Sequence, residues 1–394
     1  MSKREEMLDA LSRSDRGVPS EASAGAGDST LEPGGLVPGG QLRPSARRGR
    51  RAFKRMVGLA VVALILVLLG IDLRQSWNTL ANYHWQVSAP LLALAFLGFV
   101  EQTLSYPLIW RSVLRRLGYG LSLPKSVRIY LASEFVRYIP GNVWHVLTRI
   151  FWSEREGIPK PIGFISITVE LVTKLAGGAL VFAVTLLFWP HIAALGQLDV
   201  LGSQAIGGKT TLFIGLAAIP VLLVLLQPRL LAWCLNRALK LLRKPAITLP
   251  MRYRDVLAIT LWWGISWVIG GIAFYLLLAG IAGTDIGGGV GSSLLTLALC
   301  IGIYALGWDI GFLSFITPSG LGFREAAIIL LLGLASVTPT VALATVIAFL
   351  SRILTTLAEL LCVGSAHVIV SRFERSARRG GTAEEKPAVS AITE

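Results

Sequence analysis

The chain contains a succession of apolar runs that are long enough to cross a lipid bilayer, and this feature limits its fold more than any other. A bilayer core of about 30 Å needs roughly 20 apolar residues in a helix. Hydrophobic residues make up 54% of the chain and charged residues 15%, which is too apolar a balance for a soluble domain of 394 residues. We therefore expect an all-α integral membrane protein.

The runs divide the chain into about eight transmembrane helices. They cover residues 56–71, 89–110, 161–189, 210–227, 256–282, 292–315 and 339–370, with a half-length segment at 324–336. Residues 1–50 are rich in Ser, Gly and Pro and end in a basic cluster, a composition typical of a disordered tail. We expect this cytoplasmic tail to be followed by a polytopic membrane domain at 51–372 and a cytoplasmic C-terminal tail at 373–394.

The charges of the loops indicate which side of the membrane each loop faces. Residues 228–254 contain seven Lys or Arg and no acid, and residues 111–160 contain nine Lys or Arg against three acids. The loop 283–291, by contrast, carries only Asp285. Because basic loops stay in the cytoplasm, we expect both basic segments and both termini there. The net charge of +14 then reflects topology, and we expect no nucleic-acid partner.

A Pro-Gly-Asn step breaks a helix inside this largely apolar chain. Pro140 lacks an N–H and Gly141 leaves helical backbone angles readily, and Asn142 follows them. The segments on either side are too short to span a bilayer, and they carry Arg137 and Arg149. Broken backbone at membrane depth is tolerated where it lines a cavity, so we expect a re-entrant hairpin beside a substrate cavity. The alternative is a helix–turn–helix that lies on the cytoplasmic membrane surface.

A second break of similar sequence lies near the end of the chain. The stretch Phe312-Leu-Ser-Phe-Ile-Thr-Pro-Ser-Gly-Leu-Gly-Phe-Arg-Glu325 repeats the order of aromatic residues, an Ile, a Pro-small step and then an Arg. Gly320 and Gly322 make a regular helix improbable there. Paired broken segments point to the binding site of a transporter. We therefore expect one or two broken segments, and the echo raises the possibility of two related halves.

Charged residues within the spans form polar stripes. A charge at the bilayer centre costs about 2.5–3.5 kcal/mol on insertion scales, so it usually faces the bundle interior and has a partner. Glu170 and Lys174 are spaced i,i+4 with the acid first, which favours a pair. Arg352 and Glu359 share one face of the last span, and residues 101–105 form a shorter stripe. We expect a polar cavity between these helices; the alternative is salt bridges that only orient them.

Two further features concern helix packing. Gly307 and Gly311 form a GxxxG motif inside a span, and this motif allows close contact with another helix. The tryptophans, notably Trp262, Trp263 and Trp267, are expected to include anchors at the membrane interface.

The sequence resembles the membrane region of the lysylphosphatidylglycerol synthases over about residues 50–372. The resemblance rests on Tyr138-Ile-Pro-Gly-Asn142, on the acidic position Glu170, and on Thr317-Pro-Ser-Gly-Leu-Gly-Phe-Arg-Glu-Ala-Ala327. It implies an eight-span region that moves a lipid or lipid-linked group across the cytoplasmic membrane of a prokaryote. The full synthases carry an aminoacyl-transferase domain after this region, which needs on the order of 100 residues. Only residues 373–394 follow here, so we expect a flippase-like protein and not an enzyme.

Arginine supports one inference about the substrate. Its planar fork matches phosphate oxygens and keeps its charge. We expect the substrate to be an anionic phospholipid or a polyprenyl-phosphate-linked group. We also expect the protein to contact membrane lipids. The expected substrate-binding residues are the charged residues of the stripes and those at or beside the two breaks: Arg137, Pro140, Gly141, Asn142, His145, Arg149, Glu170, Lys174, Pro318, Gly320, Arg324, Glu325, Arg352 and Glu359.

Other chemistry is not indicated. Cys234, Cys300 and Cys362 lie far apart and the histidines show no ligand spacing, so we expect no metal and no cofactor. An intramembrane transferase with Glu170 or Glu359 as general base would need a nucleophile or metal, so we expect no catalytic residue. The functional alternative is a non-catalytic membrane partner that organises a glycosyltransferase or a lipid-modifying enzyme. No feature of the sequence indicates an oligomeric state.

Overall fold

A computed structural model of the chain describes residues 85–136, 144–189, 208–241, 248–283, 290–314 and 317–381, together with Arg74 and Ala246. Within these ranges the chain forms helices, turns and short connections, without a β-strand. The helices, numbered in chain order, are α1 Ala89–Arg116, α2 Leu123–Phe135, α3 Trp144–Arg155, α4 Lys160–Thr185, α5 Gly208–Leu225, α6 Pro228–Leu241, α7 Tyr253–Ala282, α8 Val290–Leu313, α9 Phe323–Leu334 and α10 Val341–Gly381. A 3₁₀ turn follows α4 at Leu186–Phe188, and another precedes α9 at Pro318–Gly320. The all-α prediction is confirmed for the described residues.

Five of these helices are long and apolar enough to cross a membrane: α1, α4 with its 3₁₀ turn, α7, α8 and α10. The pair α5 and α6 gives a sixth candidate if it is one span, although the chain bends by 76° between them. The described ranges therefore hold five or six candidate spans, and the expected first span at 56–71 lies outside them. The half-length segment forms α9, whose 12 residues extend about 18 Å and are too short to cross alone. A total of about eight spans stays a prediction.

Proline and glycine set several helix boundaries. Pro90, Pro124 and Pro161 occupy the first two positions of α1, α2 and α4, where the missing N–H has no intrahelical partner to lose. Gly118 and Gly283, with φ of 89° and 88°, follow the ends of α1 and α7. Such left-handed angles are open to glycine without strain. The last helix, α10, continues to Gly381.

Helix α7 lies at the centre of the bundle and packs against α1, α4 and α8. Its contact with α4 requires a glycine, because a Cβ at Gly177 would lie 2.9 Å from the Cβ of Trp263. Its contact with α1 is equally close, since a Cβ at Gly98 would lie 2.8 Å from the Cβ of Ala273. Small residues allow such close helix contacts in lipid, where the hydrophobic effect does not drive helices together.

The GxxxG motif of α8 makes the contact that its spacing predicted. A Cβ at Gly307 would lie 2.6 Å from Cγ1 of Ile328, and a Cβ at Gly311 would lie 2.7 Å from the Cβ of Arg324. Both neighbours belong to α9. The motif therefore holds this short helix against α8, in agreement with the role of small residues at membrane helix contacts.

The tryptophans of α7 correct one prediction. Trp263 and Trp267 are fully buried in the bundle, whereas Trp262 is exposed. Successive residues of a helix point about 100° apart, so neighbouring tryptophans occupy different faces. Of these three, only Trp262 has a ring exposed at the surface of the bundle, so Trp263 and Trp267 are core residues and not anchors.

Two short helices, α2 and α3, occupy the region where the sequence predicts a hairpin. They have 13 and 12 residues, so neither can cross a bilayer alone. They pack against each other; α2 also contacts α1 and α10, and α3 contacts α4. The predicted break at Pro140-Gly141-Asn142 lies between them, outside the described residues.

Candidate functional site

Arg149 on α3 lies at the centre of a buried polar group that we call the Arg149 cluster, formed with Ser133, Glu134 and Glu170. Its Nη1 donates to Glu170 Oε2 at 2.6 Å, and its Nε donates to Ser133 Oγ at 2.9 Å. Its Nη2 donates to Glu134 Oε1. The side chains of Arg149 and Glu170 are only 1% and 2% exposed. Every guanidinium nitrogen has a partner, and these contacts join α2, α3 and α4.

Aromatic side chains cover the Arg149 cluster. The guanidinium carbon of Arg149 lies 3.9 Å from the ring centroid of Tyr130 and 5.6 Å from that of Trp110. The hydroxyl of Tyr130 also donates to Glu170 Oε1 at 2.6 Å, so both carboxylate oxygens of Glu170 accept a hydrogen bond. Cation–π contacts strengthen when water is excluded, and hydrogen bonds to charged groups offset part of their desolvation. The burial of this ion pair is therefore compensated on both sides.

Lys174, one turn along α4 from Glu170, lies among aromatic rings. Its Nζ is 3.9 Å from the ring centroid of Trp308, 4.2 Å from that of Tyr106 and 4.8 Å from that of Trp263. A fourth ring, that of Trp267, is 6.0 Å away, and its indole N–H donates to the Lys174 carbonyl oxygen at 3.0 Å. These contacts bring α1, α7 and α8 around one buried cation of α4.

The structure changes the pairing that the i,i+4 spacing predicted for Glu170 and Lys174. The close partner of Glu170 is Arg149 from another helix, at 2.6 Å. Asp309 of α8 lies near Lys174, since a Cβ at Gly178 would be 2.9 Å from the carboxyl carbon of Asp309. Glu170 lies one turn before Lys174 on α4, and the carboxyl group of Asp309 packs at Gly178, one turn after it. Lys174 thus stands between acids of two helices.

A second ion pair, which we call the Glu325 cluster, joins α9, α10 and the turn before α9. Nη1 of Arg352 lies 3.3 Å from Glu325 Oε1, and both Nη1 and Nη2 donate to the Ser319 carbonyl oxygen at 3.2 Å. The other carboxylate oxygen of Glu325 accepts the N–H of Gly322 at 2.6 Å. Glu325 therefore caps the first turn of α9 and neutralises Arg352 with the same carboxylate.

The break predicted at Pro318 to Gly322 is confirmed. Ser319, Gly320 and Gly322 have φ of 53°, 67° and 88°, left-handed values that interrupt an α-helix. A Cβ at Gly320 would lie 2.7 Å from the Cα of Gly311, so the broken segment packs directly on α8. This packing directs the Ser319 carbonyl oxygen to the guanidinium of α10, Arg352.

Comparison with known families decides the classification. The family model described as the lysylphosphatidylglycerol synthase TM region matches residues 55–362, more than half of the chain. The chain belongs to this family. A search of curated proteins finds no match. Both charged clusters lie within the matched region. Together with the candidate spans, the family match shows a multi-pass membrane protein, as the resemblance predicted.

The sequence predicts a set of substrate-binding residues. Most of those that the structure describes lie in or beside the two clusters. Arg149 and Glu170 pair in the first, with His145 buried one turn before Arg149 on α3. Glu325 and Arg352 pair in the second. Pro318 and Gly320 form the turn before α9, and Arg324 is buried on α9. Arg137, Pro140, Gly141 and Asn142 lie outside the described residues.

The two charged residues of the polar stripe on α10 contact different parts of the bundle. Arg352 reaches the broken segment before α9. Glu359, two turns further along α10, lines a small cavity together with Glu134 and Tyr106. Because Glu134 belongs to the Arg149 cluster, Glu359 lies beside that cluster. The face predicted as one polar stripe therefore contacts both clusters.

The stripe predicted at residues 101–105 is also divided. Gln102 is buried; it donates to the Ser266 carbonyl oxygen at 3.1 Å and accepts from the Tyr304 hydroxyl at 2.9 Å. Ser105 shares a hydrogen bond of 2.8 Å with the Ser266 hydroxyl. Glu101 is exposed on the other side of α1. The buried part of this stripe holds α1 to α7 and α8.

The sequence analysis missed the residues of α2 that surround Arg149. Tyr130, Ser133 and Glu134 are spaced i, i+3 and i+4, which places them on one face of a helix. That spacing is a signal of the same kind as the stripe on α4. Trp110 and Tyr106 carry no such signal, because an aromatic residue beside a buried cation has the same sequence pattern as ordinary core packing.

Proposed function

We propose that this protein moves an anionic phospholipid or a polyprenyl-phosphate-linked head group between the leaflets of the cytoplasmic membrane, with both chain termini in the cytoplasm. The observation that carries the proposal is the presence of two buried charged clusters inside an otherwise apolar bundle. Each cluster includes an acid at the end of a short helix, Glu134 at the end of α2 and Glu325 at the start of α9. A polar head group needs such a path, because it cannot cross the hydrocarbon core unaided.

The positions of the clusters support a path and not a single anchor. The Arg149 cluster involves α2, α3 and α4, and the Glu325 cluster involves α9, α10 and the turn before α9. Lys174 lies between Glu170, one turn before it on α4, and the site one turn after it where Asp309 of α8 packs. Charged groups therefore occur at three places in the bundle. Helix interruptions beside charged residues are the features by which transporters of other families form sites at membrane depth.

An apolar groove offers room for the acyl tails. It encloses about 470 Å³ between α4, α5, α7 and α8, and its walls are apolar apart from Thr185 and Thr260. Gly177 lines the groove, three residues along α4 from Lys174. A lipid could keep its tails in this groove while its head group passes the charged interior.

Translocation in vesicles of defined composition tests the proposal. The purified protein is reconstituted with a trace of tail-labelled phosphatidylglycerol, phosphatidylethanolamine or polyprenyl phosphate, and dithionite then bleaches the label of the outer leaflet. We expect bleaching beyond the outer-leaflet share for at least one phosphate-bearing lipid, because inner-leaflet label reaches the outer leaflet. Protein-free vesicles and vesicles with a heat-inactivated sample are the controls.

The same assay distinguishes translocation from the alternative function, that of a non-catalytic membrane partner. A membrane partner that only organises a glycosyltransferase or lipid-modifying enzyme would leave every lipid at the protein-free rate. That result, obtained with protein shown to be folded by a cooperative thermal transition, would contradict the proposal.

A further inference from the structure

The arginines predicted to bind phosphate differ in how their donors are used. All three guanidinium nitrogens of Arg149 donate to side chains of the Arg149 cluster. Arg352 contacts Glu325 and donates twice to the Ser319 carbonyl oxygen. Both side chains are therefore engaged within the protein, and each has a carboxylate to balance its charge. A ligand would have to displace those contacts before it could bind either fork.

Arg324 is the contrasting case. The residue is 6% exposed, and its Nε and Nη2 are buried without a hydrogen-bond partner in the part of the chain that the structure describes. Its guanidinium carbon lies 5.3 Å from the ring centroid of Tyr304. Among the described residues no carboxylate forms an ion pair with it. A buried guanidinium thus keeps its charge and two donors available.

The fold holds Arg324 beside the broken segment. Helix α9 approaches α8 at Gly311, where a Cβ would lie 2.7 Å from the Cβ of Arg324. The same glycine is the contact point of the turn before α9, since a Cβ at Gly320 would lie 2.7 Å from the Cα of Gly311. That turn begins at Thr317, whose carbonyl oxygen accepts the N–H of Gly320 at 3.3 Å. Arg324 and the turn therefore pack on one region of α8.

Thr317 provides a second available group on that turn. It is 2% exposed, and its hydroxyl is buried without a hydrogen-bond partner among the described residues. A hydroxyl can donate to an anion, and a guanidinium fork can donate two parallel hydrogen bonds to the same anion. A buried cation without a counter-charge is costly, and an oxyanion of one negative charge would compensate it.

We propose that Arg324 and Thr317 bind one phosphate oxyanion, whereas the forks of Arg149 and Arg352 stay engaged by groups of the protein along the path. The assignment of that phosphate to a transported lipid rests on the proposed function. The phosphodiester of a glycerophospholipid and the phosphate of a polyprenyl lipid share this chemistry, and so does free inorganic phosphate. The site discriminates by the phosphate group, so lipids with the same tails and no phosphate are excluded.

Lipid-induced stabilisation tests the site without relying on transport. The thermal transition of the purified protein in detergent is measured with phosphatidylglycerol, with diacylglycerol of the same tails, and with inorganic phosphate. We expect phosphatidylglycerol to raise the temperature of the transition and diacylglycerol to leave it unchanged. In Arg324→Gln the apparent affinity for phosphatidylglycerol should fall about tenfold or more, because hydrogen bonds to a charged group are lost. Arg324→Lys should retain part of the effect, since it keeps the charge but not the fork.

The variants also separate this site from general electrostatics and from misfolding. Without lipid, Arg324→Gln should unfold at or above the wild-type temperature, because it removes a buried cation that has no acid partner. Arg237→Gln removes the same charge from an exposed position of α6 and should keep the wild-type response to phosphatidylglycerol. An equal loss in Arg237→Gln, or an unchanged response in Arg324→Gln, would overturn the proposal.

The remaining outcomes distinguish the two proposals. Stabilisation by phosphatidylglycerol through Arg324, in a protein that moves no lipid in vesicles, would support the phosphate site and contradict the translocation function. Stabilisation by inorganic phosphate alone would support the oxyanion site and remove the lipid from it. Translocation that is equally fast in wild type and Arg324→Gln would support the function and overturn the site.

Discussion

Replacement of Arg149 by Leu tests whether the Arg149 cluster holds α2, α3 and α4 together. The change removes the partner of Glu170 at 2.6 Å, the partner of Glu134 and the hydrogen bond to Ser133. Glu170, whose side chain is 2% exposed, would then be a buried carboxylate that has lost its ion-pair partner and keeps the hydrogen bond from the Tyr130 hydroxyl. Breaking a buried ion pair on one side costs about 3–5 kcal/mol. We expect the free energy of unfolding to fall by this amount.

A second substitution separates two causes of the lost stability: the loss of contacts of Arg149 and the uncompensated charge of Glu170. In Arg149→Leu/Glu170→Leu both charges of the fully buried pair are absent, and apolar replacement of a buried pair is often neutral or stabilising. We expect the double variant to recover at least about half of the loss. Arg149→Lys should lie between wild type and Arg149→Leu, because one ammonium cannot reproduce a fork that donates to three side chains.

The measurement is unfolding of the purified protein in mixed micelles at increasing fractions of a denaturing detergent. Arg237→Leu, an equivalent change at an exposed position of α6, is the matched control and should change stability by no more than about 0.5 kcal/mol. If Arg149→Leu costs less than about 1 kcal/mol, or if the double variant is less stable than the single, the cluster does not hold these helices as argued.

Three further predictions concern the second cluster, the break and the topology. Arg352→Leu leaves a buried carboxylate uncompensated and should abolish translocation while membrane insertion, measured by fractionation, stays intact; full activity would reduce the pair to helix packing. Gly320→Ala places a residue with a Cβ at a φ of 67°, and we expect it to lower the free energy of unfolding by at least about 1–2 kcal/mol. Gly364→Ala is the control for the same assay. A Cβ there would meet no atom within 4 Å, so this variant should be neutral or stabilising. A cysteine at Asp285 should react with an impermeant reagent from outside and one at Arg243 should not; the reverse labelling would contradict the proposed orientation.

The features that could be predicted from the sequence depend on local chemistry. Apolar runs of bilayer length fix helices because lipid leaves the backbone no external partner. The break at Gly320 was predictable because proline and glycine act on their own backbone. The contact at Gly307 and Gly311 was predictable because a missing side chain allows close approach whatever the partner helix is.

The partners of the buried charges could not be predicted in the same way. A stripe on one helix shows which residues share a face, but it does not show which helix packs there. The i,i+4 spacing therefore suggested Lys174 for Glu170, whereas the fold places Arg149 there at 2.6 Å. Arg352 likewise pairs with Glu325 across two helices. Such contacts depend on the arrangement of helices, which no single helical pattern encodes.

The central claim is that the buried charges form a path for a lipid head group, and one variant tests it most directly. Glu325→Gln/Arg352→Met removes both charges of the Glu325 cluster, while the Gln can still accept the N–H of Gly322 and cap α9. The measurement is dithionite-detected translocation of tail-labelled phosphatidylglycerol in vesicles, with the thermal transition of the variant checked first. We predict a folded protein whose rate falls to that of protein-free vesicles. A folded variant that translocates at the wild-type rate would contradict the claim.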